Sequence, residues 1–174
     1  MTITKAMLRI TALVLLLLFL VGCSKNFDEN TGTYKGGGVV ITFPKGWKKT
    51  KTVLNAAITV IDPGGVAEMS LFIQKAPKDV ATLEDFLRIV SERTRGVKGV
   101  KEEDMGTVTI DGLQGRWIRK AITVKGKDFD TIMYYVMKDR KIYSLLGITE
   151  AESFARWAPV FKKVAEGMRF SSSH

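Results

Sequence analysis

Residues 106–149 read GTVTIDGLQGRWIRKAITVKGKDFDTIMYYVMKDRKIYSLLGIT, and this stretch decides the fold. It holds four strand-length runs, at 106–111, 114–124, 129–138 and 141–149. Asp111-Gly112 has the composition of a two-residue hairpin turn, and Asp139-Arg140 makes an equally tight link. Links this short join antiparallel neighbours, because parallel strands need a crossover of a dozen or more residues. The last run is apolar at both parities. Ile142, Leu146 and Ile148 point one way, Tyr143 and Leu145 the other. Such a strand belongs in the middle of a sheet that is covered on both faces.

Upstream, Gly38–Phe43 forms a first strand with Val39, Ile41 and Phe43 on one face, ended by Pro44-Lys45-Gly46-Trp47. Runs near 56–61 and 67–74 flank the turn Asp62-Pro63-Gly64-Gly65. The period then changes. Leu83, Phe86, Leu87 and Val90 fall at i, i+3, i+4 and i+7, which predicts a helix over 82–95 with Thr82 as N-cap and Asp85 in the capping-box position. A closing helix over 150–168 carries the stripe Phe154, Trp157, Ala158, Phe161, Val164, Ala165 and Met168. Thr149 and Glu152 are placed to cap it, and Pro159 predicts a kink or break. The order β-β-β-α-β-β-β-β-α is an α+β chain. It predicts an α+β sandwich, with an antiparallel sheet of about six to seven strands packed by helices and covered on both faces.

The amino end has the three parts of an export signal. Lys5 and Arg9 are its basic start, Ile10–Gly22 its apolar run, and Leu20-Val21-Gly22-Cys23 resembles a lipobox. The apolar run is shorter than the roughly 20 residues of a membrane-spanning helix. The reading is therefore a signal peptide at 1–22 and a lipidated Cys23. A flexible polar tether follows through residue 33, then a domain over 34–170 and a loose tail at 171–174. Ser24, in place of an aspartate, points to the periplasmic face of the outer membrane. Cys23 is the only cysteine, so no internal disulfide competes for it.

The exported part resembles the PsbP and DcrB-type lipoproteins, which share a fold with the Ran-binding Mog proteins. The likeness rests on Tyr34, Val40-Ile41-Thr42-Phe43-Pro44-Lys45-Gly46-Trp47, Asp111-Gly112, Lys141-Ile142-Tyr143 and the last helix, ending at Phe170. It implies an αβα sandwich and a non-catalytic accessory or binding role. No photosystem residue carries across.

The formal net charge is +9, and the leader removes only Lys5 and Arg9, leaving +7. A basic surface attracts anionic lipid or acidic partners, and an exported address sets nucleic acid aside. The single histidine is His174, the last residue. Nucleophile–histidine chemistry and zinc sites both lack their ligands, so no catalysis, cofactor or metal is expected. Glu102-Glu103-Asp104 and the pair Asp128 and Asp130 read as solvated turns rather than calcium loops or glycosidase carboxylates. Gly36-Gly37-Gly38 lacks the spaced Lys-Ser/Thr of a phosphate loop and turns the tether into the first strand. Lys45, Lys48, Lys49 and Lys51 around Trp47 form the densest basic patch, a candidate contact for lipid or an acidic envelope partner, with Trp47 itself structural. Arg116, Arg119 and Lys120 beside Trp117 are a sparser version, and Trp157 reads as core. Three functions follow, in falling order: an envelope accessory protein that binds a partner and aids assembly or stability of an envelope component, a periplasmic carrier holding a small apolar or anionic ligand between sheet and helix, and last a hydrolase acting through Asp or Glu.

Overall fold

A computed structural model describes residues 26–51, 53 and 55–171 of the chain. The leader, Cys23 and His174 lie outside the described residues. The strands are β1 (Phe27–Asp28), β2 (Thr33–Gly36), β3 (Val39–Thr42), β4 (Lys48–Lys49), β5 (Ile58–Ile61) and β6 (Ala67–Lys75). Helix α1 (Leu83–Thr94) follows, then β7 (Val100–Ile110), β8 (Leu113–Val124), β9 (Lys127–Lys138) and β10 (Lys141–Glu150). A single 3₁₀ turn leads into α2 (Phe154–Glu166), and β11 (Arg169–Phe170) closes the chain.

The main sheet has seven antiparallel strands in the order β4-β5-β6-β10-β9-β8-β7. β10 is its middle strand, as its two apolar parities require. Strands β7 to β10 form a meander whose links are Asp111-Gly112, Lys125-Gly126 and Asp139-Arg140. All six of those residues have positive φ, the backbone that two-residue hairpins need to match the strand twist. Helix α1 covers one face, where Leu83, Phe86 and Leu87 meet Ile118, Met133 and Tyr135. Helix α2 covers the other, together with a second sheet of four strands ordered β1-β2-β3-β11. Val39, Ile41 and Phe43 are buried between the layers, as their alternation predicts. Phe161 of α2 is fully buried against Gly147 of β10.

Several expectations are corrected. Residues 27–33 are not a flexible tether, because Phe27 stands in β1 and meets the Phe43 ring edge-on at 6.2 Å. Gly36, Gly37 and Gly38 do not lead from tether to first strand but turn β2 into β3. Glu102-Glu103-Asp104, Asp128 and Asp130 stand in strands β7 and β9 rather than in turns. Thr149 does not cap α2, since its hydroxyl donates to the Val66 carbonyl at 3.0 Å. Pro159 lies inside α2 without ending it. Its missing N–H removes one helical hydrogen bond, and burial of Phe161, Val164 and Ala165 holds the helix regardless. Thr82 and Asp85 do form the capping box of α1.

Tyr135 lies under α1, with Phe86 edge-on at 6.0 Å. Burial, assisted by the charge of Glu102, pushes its hydroxyl up to about 12 from an ordinary value near 10. The folded state therefore keeps a proton that the unfolded chain releases. This stabilisation is fully present below about pH 10 and is lost as pH rises through about 12. Tyr134, on the opposite face, is shifted in the same direction by its burial. Melting temperature should fall steeply above pH 10, and Tyr135→Phe should flatten that fall; a profile unchanged by the substitution would refute this origin.

Candidate functional site

The basic patch predicted at Lys45–Lys51 has a structural frame. Trp47 is 3% exposed and meets the Trp157 ring edge-on at 5.6 Å. Lys48 and Lys49 form β4, the outermost strand of the main sheet, and pair with Ile61 and Val60. Lysines on an edge strand discourage pairing with another sheet. Lys45 and Lys51 are exposed on either side.

The opposite edge, β7, carries Glu102, Glu103 and Asp104 at a β-bulge. These carboxylates face basic partners: Glu103 is 3.0 Å from Lys101, and Glu102 is 3.6 Å from Lys120 on the neighbouring strand. Asp130 is different in kind. It is 4% exposed, and Arg119 binds both of its oxygens, through Nε at 3.1 Å and Nη2 at 3.0 Å. The same guanidinium lies 4.3 Å over the Phe154 ring. Asp128 accepts from the Thr123 hydroxyl. Among the described residues no group of three or more His, Cys, Asp or Glu could hold a metal ion.

The Arg119–Phe154 stack borders a groove of about 450 Å³ between α2 and the outer strands. Trp117, Ile132 and Tyr134 line it from the sheet, and Phe154, Ala158 and Pro159 from the helix. Gly106 makes room, because a Cβ there would lie 2.8 Å from the Trp117 indole. Arg119, Lys162 and Asp104 are the charged residues of the groove. Such a cleft can hold an apolar body with one anionic end. The described residues contain neither histidine nor cysteine, so it has no nucleophile–imidazole pair. Of the candidate site residues singled out from sequence, Asp104, Trp117 and Arg119 reach this groove; Lys45, Lys48, Lys49 and Lys51 do not. From sequence, Ala158 belongs to the buried stripe of the closing helix and Pro159 marks a kink or break in it. A proline beside small residues in mid-helix was the available signal.

With this geometry in hand, the domain can be set beside known structures. Cyanobacterial PsbP (CyanoP) from Synechocystis sp. PCC 6803 superposes with a TM-score of 0.63 at 16% identity, over 87% of this chain and 98% of that one. The fold is that of PsbP. LpqN of Mycobacterium tuberculosis, described as involved in cell envelope biogenesis, matches with a TM-score of 0.59 at 11% identity, over 77% of this chain and 83% of that one. The Saccharomyces cerevisiae Ran-binding protein Mog1p matches at 0.56 and 9% identity, over 78% and 92%. The superpositions establish a shared architecture and, at these identities, the fold alone. No family model matches the chain, and no curated protein does. Among the described residues no helix is long and apolar enough to cross a membrane.

Proposed function

We propose that this chain is a lipid-anchored accessory protein of the cell envelope that binds another envelope component and performs no chemistry of its own. The observation that carries the reading is the nearness of the packed domain to Cys23. Phe27 is already part of β1, so only Ser24, Lys25 and Asn26 intervene. Lipid on Cys23 would hold the domain at the bilayer rather than on a long leash. LpqN, of the same architecture, supports an envelope setting. Ser24 favours the periplasmic face of the outer membrane. Lys45, Lys48, Lys49 and Lys51 are the proposed contact for an acidic protein partner. Cys23→Ser should abolish acyl labelling and leave the leader uncleaved, with an unchanged melting temperature of the domain. Acyl label persisting on that variant would sink the anchor.

The groove under α2 favours a second reading, a carrier of a small amphipathic anion. Native mass spectrometry of the 24–174 chain should then show retained mass, reduced by Trp117→Ala. A bare chain at every preparation would exclude the carrier.

A further inference from the structure

Strands β6, β10 and β9 end together in a row of three lysines. Lys141 pairs with Lys75 on one side and with Lys138 on the other. Cross-strand partners share a face with Cα atoms about 5 Å apart, where like charges repel. Among the described residues no carboxylate lies within ion-pair distance of any of the three. Lys138 instead places its ammonium 5.1 Å over the Phe170 ring. At the tip of the same hairpin Arg140 holds φ at 57°, a conformation where Gly or Asn is usual, while donating to the Pro77 carbonyl. Asp139 in this turn and Asp28, which feels the charge of Lys35, are outnumbered by Lys35, Lys75, Lys138, Arg140 and Lys141.

The chain emerges beside this row. The Gly36–Gly38 turn lies against Ile73, Tyr143 and the Lys141 ammonium, and the Lys35 amide donates to the Asn26 carbonyl at 2.7 Å. β1 runs antiparallel to β2, so Asn26, at its amino end, lies at the end of the sheet where that turn stands. Three peptide steps separate Cys23 from Asn26, a reach of about 11 Å. The Lys48–Lys49 strand lies at the other end of the sheet, since Lys48 pairs with Ile61 and Ile61 with Glu68, at the far end of β6 from Lys75.

We infer that Lys75, Lys138 and Lys141, with Lys35 and Arg140, form the surface by which the domain rests on anionic lipid headgroups. The inference builds on the Cys23 anchor proposed above. A row of like charges that opposes its own sheet becomes favourable against a negative bilayer. Lys45, Lys48 and Lys51 are then turned away from the membrane.

The test uses the full chain as isolated from membranes, placed in vesicles of phosphatidylcholine with or without phosphatidylglycerol, and reads amine labelling by mass. Labelling of Lys75, Lys138 and Lys141 should drop about fivefold only with the anionic lipid and recover in high salt. Lys125 and Lys127, about 36 Å away along β9, should not change. Equal labelling in both vesicles, or protection of Lys125 and Lys127 instead, overturns the surface. The Cys23 acyl mass is read in the same samples. Protection without an acyl group supports the surface and sinks the anchor; an acyl group without protection does the reverse. Joint replacement Lys75→Gln, Lys138→Gln and Lys141→Gln should leave the melting temperature no lower while Lys35 loses its protection. A fall in melting temperature with Lys35 still protected would make the row structural.

Discussion

Truncating Phe161 to alanine is expected to lower the stability of the domain by about 4 kcal/mol. The ring is 0% exposed at the centre of the layer between α2 and the main sheet. It lies over Gly147 in β10, so close that a Cβ on that glycine would be 2.6 Å from the ring atoms. The fit has two sides. Filling Gly147 with valine should cost about 3 kcal/mol, because neither the middle strand nor a fully buried ring can yield. Joined to Phe161→Ala, the same valine enters the vacated space, so the double variant should be more stable than the sum of the two losses predicts, by about 1 kcal/mol or more. Urea unfolding followed by tryptophan fluorescence measures all three. Strict additivity would show that the two residues do not share the contact described.

The second large effect is electrostatic. Arg119→Ala should cost about 3 kcal/mol, the lower end for removing one partner of a buried ion pair, since the arginine side chain is 35% exposed. The loss comes less from the pair itself than from leaving the 4%-exposed Asp130 carboxylate without its two hydrogen bonds. Replacing both partners with apolar residues should therefore recover much of it. If Arg119→Ala is as stable as the native chain, water already satisfies Asp130 and the pair contributes nothing.

Large elements were legible in the residues where one side chain in two is buried. The parity of Val39, Ile41 and Phe43 and the double parity of β10 report directly on packing and are found as read; the period of α1 places Leu83, Phe86 and Leu87 correctly, with Ile89 rather than Val90 joining the packed residues. β1 and β11 are two residues long, too short for any period to show. They exist because β2 and β3 offer free edges, which is a tertiary fact. The first half of β7 was read as a turn because an edge strand can expose both faces, so Lys101, Glu102, Glu103 and Asp104 carry no alternation. Thr149 had the composition of a cap, but its hydroxyl serves a neighbouring strand.

The same distinction separates the two basic surfaces. Lys45, Lys48, Lys49 and Lys51 are conspicuous because they are adjacent in the chain. Lys75 and Lys141 are far apart in it, and only the register of β6 against β10 brings them side by side. Groups assembled by register rather than by spacing are invisible to a linear reading. The groove under α2 was foreseen as a place, between sheet and helix, but not by its lining, for the same reason.

The pairing of β11 with β3 has a consequence for the order of events in folding. Turns of two residues join β7 to β10, so that meander closes through local contacts and can form early. The four-stranded sheet cannot. Arg169 and Phe170 pair with Val40 and Val39 from the other end of the chain, and Ser171 donates to the Gly38 carbonyl. A chain that emerges from its amino end can pair β1, β2 and β3 early but leaves the outer edge of β3 open until Arg169 and Phe170 follow. If Cys23 is anchored as proposed, the sheet nearest the membrane would be the one completed last, and that interval is when the chain would most need protection.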